Sequence, residues 1–183
     1  MSNPSLVIVL AEDEHHRMLI SRYLKKCGLN VHAIRIRPSP AGRGSAENWV
    51  RREFVKETEA YRIRQARAGS ALIVMIDADT LTVQDRFSQL DQALQDGGKQ
   101  TVGGTEHIAR LVPKRNVETW ILCLNGQPVD EDNNYKTGRN NWSELIPPAA
   151  RTLRQWTRST SEPPNHCVSS LRTGVQELKR LRF

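Results

Sequence analysis

The chain has 183 residues, 38% of them hydrophobic, and 27 Lys and Arg against 20 Asp and Glu give a formal charge of +7. That length supports one domain with its own core, and the positive balance favours an anionic partner such as nucleic acid. Three widely spaced cysteines, none in a C-x-x-C pair, exclude a disulfide framework and a cysteine zinc site. The N-terminus carries no basic segment followed by a long apolar run. No signal peptide and no membrane span are therefore expected, and reduced thiols in a cytoplasmic protein are.

Leu6–Leu10 (LVIVL) is a short, branched apolar run and reads as a first strand. It ends in Ala11-Glu12-Asp13-Glu14, and Leu19, Ile20, Tyr23, Leu24 and Cys27 then recur at helical spacing up to a stop at Gly28. Acids at a helix start are favoured by the helix dipole, although three in a row exceed what capping requires. His15 and His16 follow directly, and with no partner at ligand spacing they read as exposed first-turn residues. Val31–Ile36 reads as a second or edge strand. The turn-rich loop at 38–45 ends in Gly42-Arg43-Gly44-Ser45, which lacks the Lys-Ser/Thr ending of a P-loop and reads as a plain connection. A helix over about 46–67 places Val50, Phe54 and Tyr61 on one face and surrounds them with cations and acids.

Ala71–Asp79 (ALIVMIDAD) has the pattern of a buried parallel strand ending in two aspartates. Alternation along an extended chain puts Asp77 and Asp79 on one side, and two carboxylates there are costly to bury without a cation between them. The bland alternative is a strand-to-helix turn with Asp79 or Thr80 as the cap. Val83, Phe87, Leu90 and Leu94 mark an amphipathic helix ended by Asp96-Gly97-Gly98, and Ile108–Val112 reads as a further strand stopped by Pro113. Lys114-Arg115-Asn116-Val117-Glu118 follows, with Glu118 on the threshold of an apolar segment. Residues 125–142 are polar and turn-rich. A helix over about 146–158 opens with Pro147 and Pro148, and a last helix over about 167–182 presents Arg172, Lys179, Arg180 and Arg182 opposite an apolar stripe.

Strands alternating with helices predict an α/β, Rossmann-like and mostly parallel sheet flanked by helices, with its site at the carboxyl ends of the strands. Residues 1–142 form the α/β domain in this reading, and 143–183 a helical C-terminal extension packed on it. If the first and central strands are neighbours, Glu12, Asp77 and Asp79 converge, and hard oxygen donors there suit Mg²⁺ or Mn²⁺.

A glutamate after the first strand, a D-x-D after a later one, and an E-x-W near a P-x-R-N turn resemble the TOPRIM domain. The similarity is to the subtypes of the overcoming-lysogenization-defect nucleases and of RloB-like proteins of bacterial defence systems. It covers about residues 6–136. It implies a metal-dependent nuclease with Glu12, Asp77, Asp79 and Glu118 as metal-binding and catalytic residues. Lys136, in a Tyr-Lys pair similar to that of RloB-like relatives, is the candidate to stabilise transition-state charge, and Lys114, Arg115 and Arg139 are candidates for phosphate contact. Where the family has a glycine after the first glutamate this chain has Asp13, which leaves the choice between Glu12 and Glu14 open. No Walker motif is present, so any nucleotide energy is expected from a partner, an ABC-type or other ATPase; oligomers are allowed. The N-terminus also resembles a response-regulator receiver, with an acidic pair after the first strand, and Lys114 in the place of the receiver lysine but following Pro113. A non-catalytic nucleic-acid-binding or partner-binding subunit is the third class.

Overall fold

The computed structural model describes residues 4–40, 45–65, 69–138 and 140–183. Four apolar runs become the strands β1 (Leu6–Ala11), β2 (Ile34–Pro38), β3 (Ser70–Met75) and β4 (Ile108–Leu111). They pair in the order β2-β1-β3-β4, and every pairing is parallel. The fold is therefore α/β with an all-parallel, Rossmann-like sheet. In register, Val7 lies beside Ala71 and Ala11 beside Met75, so the segments leaving β1 and β3 emerge side by side.

The helices are α1 (Glu14–Lys26), α2 (Ala46–Gln65), α3 (Val83–Asp96), α4 (Val117–Leu124), α5 (Trp142–Trp156) and α6 (Ser169–Arg180). Because side chains alternate along a strand, each central strand feeds two cores. Val7, Val9, Ile73 and Met75 pack with α1, α4, α5 and α6. Ile8, Leu10, Leu72 and Val74 pack with α2 and α3 on the opposite face. A strand covered on both sides must be apolar at every position, which is why β3 is buried from end to end. α5 and α6 belong to the same core as α1 and α4, and the expected division at residue 142 falls on the first residue of α5. Among the described residues no helix is long and apolar enough to cross a membrane.

Helix ends follow local chemistry. Asp13 caps α1 by accepting from the His16 backbone N–H. The cap of α3 is Thr82, in a reciprocal capping box with Asp85, rather than the expected Asp79 or Thr80. α5 begins earlier than the proline pair suggested, so Pro147 and Pro148 lie inside it rather than at its first position. Residues 42–44 of the glycine-rich loop lie outside the described residues. Ser45 accepts from the Asn48 N–H at 3.3 Å, a capping contact at the start of α2.

α6 meets α4 where Trp120 is wholly buried and donates its indole N–H to Ser170 Oγ at 2.8 Å. Gly174 lies against that indole so closely that an added Cβ would collide with it. Gly174→Ala is therefore expected to lower stability by about 1–3 kcal/mol, the usual cost of overpacking a core. Urea unfolding reads this, and an unchanged midpoint would contradict the packing.

Candidate metal centre

β1 ends one residue before Glu12, and β3 ends two residues before Asp77. Glu12 leaves β1 and turns back, so that its Oε2 accepts the backbone N–H of Asp77 at 2.9 Å. Asp77 follows β3 and has no exposed surface. Its Oδ1 is 2.9 Å from His16 Nε2, and its Oδ2 is 3.0 Å from Lys136 Nζ. On the other side of the ring, His16 Nδ1 is 2.7 Å from Asp13 Oδ1. With a carboxylate at each nitrogen, the His16 imidazole holds both protons and donates twice.

His16 therefore corrects the expectation that both histidines are exposed: it is wholly buried. The reason is the α1 geometry. Asp13 as cap fixes the first turn, and the third residue after it points back over the sheet edge toward Asp77. His15 is also engaged, through a 2.6 Å hydrogen bond from its Nδ1 to Glu118 Oε1. Its ring lies 5.6 Å from the Trp142 ring. Glu118 is buried in the first turn of α4, and its Oε2 has no hydrogen-bond partner among the described residues.

Asp79 departs from the expected pairing with Asp77. β3 ends at Met75, so strict alternation has ceased by Asp77, and Ala78 is held by its N–H to Pro113 O at 2.8 Å. Asp79 then takes a left-handed backbone at φ 56, a conformation that Asp tolerates better than most residues. Its half-exposed side chain lies 3.9 Å from Arg86 and outside the Glu12–His16–Asp77 donor group, although its charge still reaches Glu12 and helps to raise that pKa. Of the open pair, Glu12 lies in the cluster, and Glu14 is exposed and ion-paired with Arg17.

Lys136 reaches the cluster from the turn-rich loop, 3.0 Å from Asp77 Oδ2 and 3.5 Å from Asp13 Oδ2. Asn134 Oδ1 holds that loop, accepting the Lys136 backbone N–H and the side chain of buried Asn116, each at 3.0 Å. Asn116 closes the P-x-R-N turn, but its bond to Asn134 was not legible, because it depends on a contact 18 residues apart. The remaining predicted cations are elsewhere. Lys114 pairs with Asp132 at 2.9 Å, Arg115 is half-buried with no charged partner among the described residues, and Arg139 lies outside them.

The electrostatics follow from crowding. Burial raises the Glu12 pKa, outweighing the opposing pull of the His16 charge. Burial works against charged His16, but the Asp77 carboxylate and the Asp13 contacts outweigh it and raise its pKa well above the ordinary imidazole range. Burial likewise opposes ionised Asp13 and protonated Lys136. The His16 hydrogen bond and charge nevertheless push Asp13 below its usual range, and Asp77 with Asp13 and Glu118 pushes Lys136 above its own.

Donor atoms of Glu12, His16 and Asp77 lie within 4.8 Å of one another. Two carboxylates and an imidazole fit a divalent cation, and the orphaned Glu118 Oε2 adds an oxygen without a proton donor. The imidazole suits Mn²⁺ or a later transition ion better than Mg²⁺, which prefers oxygen alone. Lys136 and the second His16 proton supply positive charge at this centre and would compete with such a cation. Comparison with protein-family models, curated proteins and solved structures finds no match.

Two stability consequences follow. His16→Ala leaves buried Asp77 without half of its compensation, and about 3–5 kcal/mol of destabilisation is expected from breaking a buried pair; denaturant unfolding measures it. Raised His16 stabilises the fold fully below the ordinary imidazole pKa, and that contribution fades as pH rises through its folded value. Lowered Asp13 stabilises above the ordinary carboxylate pKa and is lost as pH falls through its depressed value. Thermal melts should give a plateau from mildly acidic to neutral pH with a decline on both sides, and a His16→Gln protein should lose the alkaline decline.

Proposed function

We propose that this chain is a metal-dependent phosphodiester hydrolase of TOPRIM-like type acting on nucleic acid. One observation carries the proposal: acids from the ends of β1 and β3 meet at the crevice where the strand order reverses. From β1 the chain moves outward to β2 and then returns to β3 on the other side. Open α/β sheets bind their ligands in that crevice. The charge of +7 supports an anionic substrate. A partner ATPase and a defence role belong to the sequence resemblance alone.

In this proposal Glu12, Asp77 and the neutral form of His16 hold the cation, with Glu118 behind His15. A cation held there would supply Lewis-acid polarisation of a phosphate oxygen and would make water more acidic. Lys136, freed from Asp77, offers its ammonium to the charge that develops on the phosphate. Asn134 and Asn116 keep its loop in place, and Glu118 fixes the orientation of His15 beside the Trp142 ring.

A second reading has one observation in its favour. Asp77 follows the third strand of a sheet ordered β2-β1-β3-β4, an arrangement shared with flavodoxin-like receivers, and it carries a lysine at 3.0 Å. Against it, Asp77 is wholly buried beneath His16 and Lys136.

Because His16 must shed a proton to bind a cation, Mn²⁺ affinity measured by calorimetry is expected to rise with pH across the neutral range, with proton release. Plasmid nicking in Mn²⁺ is expected for the wild type. Glu12→Gln and Asp77→Asn are expected to lose at least about 100-fold, the scale on which one electrostatic contact acts in a catalytic site. Equal nicking by all three proteins contradicts the proposal, and acetyl-phosphate labelling at Asp77 would favour the receiver reading.

A further inference from the structure

α2 carries mixed cations and acids and α6 a basic face, and most of their cations are satisfied within the fold. Arg51 and Lys56 pair with Glu47 and Glu53, Arg62 with Glu106, and Arg64 with Glu57. On α6, Arg172 donates to the carbonyls of Pro163 and Pro164, Lys179 pairs with Glu162, and Arg180 with Glu177. A different surface holds a block of unpaired positive charge. Arg22, Lys25 and Lys26 stand at i, i+3 and i+4 on α1, and Arg151, Arg154 and Arg158 run at helical spacing along α5 and just past its end. None of the six side chains has a hydrogen-bond or ion-pair partner among the described residues.

The two helices lie side by side. Arg22, Lys25, Lys26 and Arg151 line one groove of ≈ 250 Å³ between them. Arg154, Arg158, Lys179 and Arg182 line a second of ≈ 760 Å³ at the far end of α5. Like charges gathered on neighbouring helices repel in the free protein, so the arrangement fits a polyanion that neutralises both rows at once. Both helices also begin at the metal centre, where His15 of α1 meets Trp142 of α5.

We infer that the α1–α5 face is a nucleic-acid docking groove along which a phosphate backbone runs away from the Glu12–Asp77 centre. This rests on the hydrolase reading for what the groove serves. From His15 to the Arg22–Lys26 cluster is about 10–16 Å at the helical rise per residue. That is roughly three to five nucleotides at the spacing of one duplex strand. A membrane surface fits less well, because an interfacial helix carries exposed large apolar side chains beside its cations. Among the described residues the exposed large hydrophobics are Val31 and Ile63, which lie on neither helix.

The test is fluorescence anisotropy with a labelled duplex and its single strand, in EDTA, over about 50–200 mM KCl. Lys25→Gln/Arg151→Gln is compared with Arg35→Gln/Arg52→Gln, which removes the same charge from β2 and α2, where those cations are also unpaired. The groove variant is expected to bind about tenfold or more weakly, with a log–log salt slope smaller by about 1.5, and the control is expected to bind within about twofold of wild type. Absence of wild-type binding, equal loss in both variants, or tighter binding to vesicles of equimolar phosphatidylcholine and phosphatidylserine than to either oligonucleotide would each overturn the inference. EDTA separates the two readings. Groove-dependent binding without metal-dependent nicking rejects the hydrolase alone, and nicking without groove dependence rejects the groove alone.

Discussion

The protonated ring of His16 is the contact on which the site depends. It sits wholly buried between two carboxylates, 2.7 Å from Asp13 and 2.9 Å from Asp77. An ionised aspartate with no exposed surface is affordable only with charge-assisted partners on both oxygens. His16 supplies one through a hydrogen bond, and Lys136 the other through an ion pair at 3.0 Å that lacks hydrogen-bond geometry. The same ring ties the start of α1 to the end of β3, so the electrostatic requirement of one side chain fixes the relation of a helix to the sheet edge. Asp13 completes the arrangement by capping α1 with the oxygen that accepts from His16.

The rest of the fold presents that contact. Parallel strands covered on both faces leave only the carboxyl edge for polar chemistry, and the reversal between β1 and β3 opens a crevice there. Glu12 enters it by bonding the Asp77 backbone, which pins two strand exits together. α4 places Glu118 beside His15, and α5 brings Trp142 over it. Apart from Lys136, which comes from the loop before α5, the cluster is built at element ends, where a backbone change of one residue redirects a side chain. Asp79 shows the consequence, since two residues past Asp77 it faces Arg86 instead.

The fold was legible because its signal is periodic. LVIVL and ALIVM could be read as buried strands from the apolar run alone, and the amphipathic spacing of α1, α3 and α6 located those helices to within a few residues. Glu12 and Asp77 could be singled out because each is an acid at the end of an apolar strand run, and Glu118 through its place in the E-x-W motif of the resemblance. His16 could not, since its burial depends on Asp77, 61 residues away. Asp79 was misplaced by extending strand alternation past the point where the strand ends. The mix of cations and acids on α2 read as a largely neutralised face, and the ion pairs of Glu53 and Glu57 bear that out. Composition counts cations, and only the fold shows which of them already face a carboxylate.

The central claim is that Glu12, His16 and Asp77 are ligands of one divalent cation. Pulsed electron paramagnetic resonance of the Mn²⁺-loaded protein tests it most directly, because a coordinated imidazole nitrogen couples to the electron spin. The account predicts a nitrogen coupling in the wild type that disappears in folded His16→Gln, together with loss of tight Mn²⁺ binding in Glu12→Gln. Bound Mn²⁺ with no nitrogen coupling, or a coupling that survives His16→Gln, would contradict it.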